Sequence, residues 1–160
     1  MNIFKIIAGV ILAIILSTNA RGQQCKGFHE SKDCFIYIPE SRQYQQYSQA
    51  KSALSEIGQK NIYKVVLFGG KDYIVGVCAE SGYRPIHFRI IDSQTKKVMY
   101  DNKDFDYIES FGFTVEKTQP IDIEVTVLEN NRIAQKKNKM CVGIEIVWSN
   151  LLKSATEGKK

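Results

Sequence analysis

Ile121-Asp122-Ile123-Glu124-Val125-Thr126-Val127 alternates apolar and polar side chains without a break. In an extended chain successive side chains point to opposite faces, so this period of two predicts a strand with one face buried and one wet. The same pattern recurs on both sides of it. Ile86, Phe88 and Ile90 alternate with His87, Arg89 and Ile91, and Tyr107, Phe111, Phe113 and Val115 share one face of a run broken by Glu109. Tyr73, Val75, Val77 and Ala79 form one apolar face; Val142, Ile144, Ile146 and Trp148 form another. Further strands are predicted over 62–68 and, shorter, over 98–100.

Turn chemistry separates these runs. Gly69-Gly70-Lys71-Asp72 reads as a hairpin turn, since glycine tolerates the positive φ such turns need. Stretches 92–96, 116–120 and 129–138 divide the others. Evenly spaced strands with no helical stretch between them predict about seven or eight antiparallel strands packed as an all-β sandwich. The segment 41–58 is ambiguous. Tyr44, Tyr47, Lys51 and Leu54 fall at helical spacing, with Ser41 as a cap and Gly58 as a stop, which predicts a short helix over its first half. Its second half, 52–57, also fits a short edge strand.

The start of the chain carries an address. Lys5 precedes the apolar run from Ile6 to Leu16, followed by Ser17-Thr18-Asn19-Ala20. This is the pattern of a secretory signal peptide, with a cut expected after Ala20. The apolar run is far short of the roughly twenty residues a membrane span needs, so no stable span is expected after cleavage. The expected organisation is a leader at 1–20, a cysteine loop with a helix or edge strand at 21–60, the sandwich at 61–148, and a flexible basic tail at 149–160. The expected location is periplasmic or secreted.

Four cysteines follow the leader: Cys25, Cys34, Cys78 and Cys141. In an exported chain an even count implies disulfides, and four cysteines allow three pairings. Cys78 and Cys141 both lie off the apolar face of their strands and can meet if those strands are neighbours. Cys25 and Cys34 are close enough in sequence to close a small loop. The expected bonds are therefore Cys25–Cys34 and Cys78–Cys141. Neither a CxxC nor an HxxxH spacing occurs, so no structural zinc or other metal site is expected.

Charge and polar clusters narrow the function. The chain is net +5, with local concentrations at Arg132, Lys136, Lys137 and Lys139 and in the tail at Lys153, Lys159 and Lys160. No aromatic residues interleave with them to stack on bases, which argues against a nucleic-acid partner. The histidines, His29 and His87, adjoin no serine or cysteine nucleophile motif, so no catalytic residue and no cofactor is expected.

The densest acidic stretch is Asp101-Asn102-Lys103-Asp104-Phe105-Asp106, with Glu109 after it. The oxygens of Asp101, Asn102, Asp104 and Asp106 are candidate calcium ligands, although the glycine and distal glutamate of an EF-hand are missing. Asp and Asn also favour plain turns, the stronger interpretation. Tyr44, Tyr47, Tyr83, Tyr100 and Phe105 are candidate ligand-contact aromatics outside the clear core positions. Trp148 is in phase with its strand's buried face.

The run Gly69-Gly70-Lys71-Asp72-Tyr73-Ile74-Val75-Gly76-Val77-Cys78 resembles the G-x-D-Y-x-I-x-x-C strand of a family of small exported bacterial proteins. Phe88-Arg89-Ile90-Ile91-Asp92, Tyr100-Asp101-Asn102 and Cys141-Val142-Gly143-Ile144 resemble it too, so the match spans roughly 52–148. The family has no assigned activity. Its strand order is loosely similar to that of the bacterial pre-peptidase C-terminal domain, which implies a jelly-roll-like sandwich in an accessory role and transfers no catalytic residue. The family's middle and late cysteines correspond to Cys78 and Cys141. Together these observations predict an exported, non-enzymatic binding or accessory module of the envelope or secretome that contacts a protein or a glycan. A structural or assembly role is the first alternative, and a small hydrolase using the acids of the 101–109 loop is the second.

Overall fold

The computed structural model describes residues 25–34, 36–40, 43–80, 85–129 and 138–151. The leader, Tyr83, the cations Arg132, Lys136 and Lys137, and the tail beyond 151 lie outside them.

The described residues form nine strands: β1 (Gln45–Gln46), β2 (Lys51–Glu56), β3 (Lys60–Leu67), β4 (Lys71–Ala79), β5 (Ile86–Asp92), β6 (Val98–Asp101), β7 (Ser110–Val115), β8 (Gln119–Val127) and β9 (Lys139–Asn150). They form two antiparallel sheets, as the alternation predicts. One runs β1–β9–β4–β7, with β2 also on β9; the other runs β3–β8–β5–β6. The inward residues of β8, Ile121, Ile123, Val125 and Val127, join Tyr73, Val75, Val77, Phe88, Val142, Ile144 and Ile146 in one buried core.

The outward residues of β8 are polar but are not wet. Asp122 and Glu124 keep only 6% and 8% of their surface exposed. β8 is flanked by β3 and β5, whose cations fold over it. Lys60 Nζ lies 3.1 Å from Glu124, Arg89 Nε donates to the same carboxylate at 2.9 Å, and Lys96 Nζ donates to Asp122 at 3.0 Å. Alternation fixed which way each side chain points; the neighbouring strands decided whether it met water.

The helix expected over the first half of 41–58 is not formed. Ser41 lies outside the described residues, and from residue 43 the stretch is β1 followed by a turn, because its backbone bonds to a neighbour instead of to itself. Gln45 and Gln46 pair with Trp148 and Val147, and Tyr47 N donates to Ile146 O at 2.8 Å. The Tyr47 ring sits in the core and its hydroxyl donates to Val66 O. A short isolated helix is marginal, so pairing to the edge of β9 wins. The second half is β2, the edge strand.

The sandwich closes differently on its two sides. Between β2 and β3, side chains cap backbone groups: Val66 N donates to Gln49 Oε1 at 2.9 Å and Lys51 Nζ donates to Lys64 O at 3.0 Å. Between β6 and β7, aromatic rings fill the seam. Tyr100 stacks on Phe111 at 3.8 Å between centroids, Phe111 on Phe113 at 5.7 Å, and Phe113 lies 6.4 Å from Tyr73.

The disulfides correct the expected pairing. They are Cys25–Cys141 and Cys34–Cys78, with Cα separations of 5.3 and 5.0 Å. Cys78 and Cys141 do point outward on neighbouring strands, but the register sets Cys78 opposite Gly143, two residues past Cys141. Such a diagonal is about 7–8 Å between Cα atoms, beyond the reach of an unstrained disulfide. Each sheet cysteine instead bonds the N-terminal segment laid across it.

That segment lies where β4 and β9 lack side chains. A Cβ on Gly76 would stand 1.9 Å from Ile36 Cγ2, and one on Gly143 would stand 2.8 Å from His29 Cα. Ile36 packs there with Ile74, Val147, Ile38 and Tyr44.

Candidate functional site

The chain between β6 and β7 carries most of the acidic and aromatic residues the sequence singles out. Asp101 closes β6. Its carboxylate accepts from Lys103 N at 3.0 Å, which starts a 3-10 turn over Asn102–Phe105, and it pairs with His87 Nε2 at 2.8 Å. Burial acts to raise the Asp101 pKa. The Lys103 amide, His87 and Arg89 outweigh it and hold the carboxyl below its ordinary range.

Asn102 is completely buried. Its Oδ1 accepts from Phe88 N at 2.8 Å, while its Nδ2 donates to Ile86 O at 2.8 Å and to Ile108 O at 3.1 Å. The side-chain amide thus stands in for a strand peptide group against β5. The Asn102 main-chain carbonyl also grips the loop, accepting from Tyr107 N at 2.9 Å.

The grip offsets strain. Asp106 and Tyr107 are consecutive and both left-handed, at φ 51° and 57°. Asp tolerates that region; a bulky side chain such as Tyr rarely occupies it. Such backbone persists only where its surroundings over-determine it, and here Asn102 together with the edge-on contact of the Tyr107 and His87 rings does so.

The loop turns apolar side chains outward. Phe105 is 52% and Ile108 is 54% exposed, and Val98 and Met99 on the preceding β6 are exposed as well. Phe105 is not loose, for it stacks on the buried Tyr100 ring at 5.4 Å. Asp104 and Asp106 flank it and are exposed.

The candidate residues therefore separate. Asp101, Asn102, Asp104 and Asp106 share the loop but not one focal point: Asn102 is turned inward with its amide fully bonded, and Asp101 is engaged by His87. Among the described residues no cluster of three or more His, Cys, Asp or Glu is placed to hold a metal ion. Tyr100 and Phe105 are brought together, Tyr47 is in the core, and Tyr44 lies with Asp72, Phe113, Thr114 and Leu151 around a cavity of about 370 Å³. Thr114 Oγ1 donates to Asp72 there at 2.5 Å.

Sequence reasoning missed Ile108 and the role of Asn102. The signal was the break in alternation at Glu109, which marks the chain leaving strand geometry just where Ile108 turns out. It also missed that Ser52 meets His29. Ser52 Oγ accepts from His29 N at 2.8 Å and lies 2.6 Å from His29 Nδ1. Because the serine oxygen is held by the histidine's own backbone, the pair is a clamp tying the N-terminal segment to β2.

No protein-family model and no curated protein sequence matches the chain. Among solved structures, a periplasmic lysozyme inhibitor of g-type lysozyme from Aeromonas hydrophila, PliG, is similar at 12% identity and a TM-score of 0.42. The match covers 71% of this chain and 93% of that one. A likeness this distant transfers neither partner nor residue.

Proposed function

We propose that this chain is an exported, non-enzymatic module that binds another protein through the loop between β6 and β7. The observation carrying it is the combination in that loop of buried restraint and apolar exposure. Asn102 has every amide group bonded, two left-handed residues are held in place, and Phe105 and Ile108 still face solvent. Interfaces draw most of their affinity from a few rigid apolar or aromatic anchors, and a fixed loop loses little entropy on association. Aromatics gathered as a glycan platform would need several exposed ring faces together, whereas in this loop Tyr100 is buried and Phe105 is the exposed ring. Export is supported by the leader pattern and by two disulfides, which persist in oxidising compartments.

The test compares the protein with its Phe105→Ser/Ile108→Ser variant as immobilised baits for proteins of the producing cell's envelope fraction. The expected result is a partner held by the wild type, lost with the variant, and rebinding in purified form. Equal retention of every protein by both baits would overturn the reading.

A further inference from the structure

Resting on that protein-binding reading, we infer that the partner presents a cationic surface around an apolar recess, into which Phe105 and Ile108 fit. Among the described residues, Val98, Met99, Phe105 and Ile108 are exposed large apolar side chains within one short stretch, and Ile62, Val66 and Phe68 form a second such run on and just after β3. The β3 run is interleaved with Lys60 and Lys64, whereas the 98–108 run carries the acids. The charges of the 101–109 loop are predominantly acidic, although Lys97 adjoins Val98 at the other end of β6. Asp104 and Asp106 bracket Phe105, Asp101 and Glu109 stand at the ends of the loop, and Lys103 is its one cation.

This acidic loop belongs to a chain of net charge +5, so it is a local reversal and not a general property of the surface. Of the nearby groups on β3 and β5, His87 and Arg89 act on Asp101 at the start of the loop, and Asp104 and Asp106 lie beyond it. Lys60 and Arg89 are held by Glu124, and Lys96 is held by Asp122. An apolar tip with an acidic rim is complementary to an apolar recess with a basic rim. Like charge facing the rim costs affinity, which excludes acidic partners.

The inference and the reading beneath it fail in different ways. The experiment places a photoreactive benzoylphenylalanine at position 108 of the full chain in the producing cells, and identifies and purifies the protein it captures. That protein is titrated against wild type, Asp104→Lys/Asp106→Lys and Phe105→Ser/Ile108→Ser at about 50 and about 300 mM salt, with melting curves confirming that each variant is folded. The expected partner has a basic contact region, and its affinity falls about 10-fold or more with added salt. The lysine variant should slow association about 10-fold at low salt and flatten the salt dependence.

If affinity ignores salt and the lysine substitutions but falls with the serine ones, the cationic partner is wrong and the binding loop stands. If nothing is captured from position 108, or the captured protein ignores both variants, the loop is not the binding site and both readings fall.

Discussion

Asn102 does the work of a peptide group, and this sets what its loss must cost. Its buried side chain satisfies Phe88 N and Ile86 O, both closed to water, and Ile108 O at the edge of the loop. Truncation to alanine removes three hydrogen bonds and strands buried backbone groups, a penalty larger than the bonds' own net contribution. Asn102→Ala is expected to lower the unfolding free energy by about 2–4 kcal/mol, read from urea titration. Asn102→Asp keeps the acceptor for Phe88 N but faces Ile86 O and Ile108 O with oxygens, so it should be no better than alanine at neutral pH. A loss below about 0.5 kcal/mol for alanine would mean that water replaces the amide and the loop is not restrained as described.

The two central strands β8 and β9 carry outward acids whose surroundings pull in opposite directions. Ser93 and Lys96 bonded to Asp122 hold its carboxyl below the ordinary range. Burial raises the Glu124 pKa, but Arg89 and Lys60 outweigh it and the net shift is again downward. Glu145 on β9 has the reverse: burial, then the nearby Glu30, push its carboxyl up. A lowered folded pKa stabilises above the unfolded value and is lost as pH falls through the folded one. A raised folded pKa gives the opposite, stability that declines as pH climbs through the unfolded value. With unfolded carboxyls near about 4, stability should fall steeply below that pH through Asp122, Glu124 and Asp101. Glu145→Gln should raise the urea midpoint at pH 7 and leave it nearly unchanged at pH 4. An equal gain at both would assign the effect to packing.

Sequence pattern showed the direction of each of these side chains correctly, and the period-two runs gave the strands. It could not give partners, because Lys60, Arg89 and Lys96 reach β8 from strands and turns whose order in the sheet is a long-range property. The helix expected around Tyr44 and Tyr47 failed for the same reason, since only the edge of β9 makes extended backbone the better choice there. The loop's acids were legible as a turn, and its exposed Ile108 was not.

The disulfides join distant parts of the chain and turn the N-terminal segment into a third layer over β4 and β9. Cys25–Cys141 spans 116 residues and Cys34–Cys78 spans 44. Each sheet cysteine had the right face but its mate followed from register, with Gly143 standing where Cys141 would have had to be. Closing a longer loop removes more entropy from the unfolded chain, so the two bonds differ in a calculable way. In the chain-entropy model they contribute about 5 and about 4 kcal/mol. Cys25→Ser/Cys141→Ser should therefore destabilise by about 1 kcal/mol more than Cys34→Ser/Cys78→Ser, with both variants compared by urea unfolding. Native-state packing could reverse that order only if one half of the segment were held by contacts the other lacks. His29 on Ser52 and Ile36 in the Gly76 hollow provide one anchor near each bond. Non-reducing peptide mapping supplies the prior check: fragments holding Cys25 must carry Cys141, and fragments holding Cys34 must carry Cys78. Recovery of a Cys25–Cys34 fragment would remove the third layer from the fold and restore the pairing that sequence proximity alone suggests.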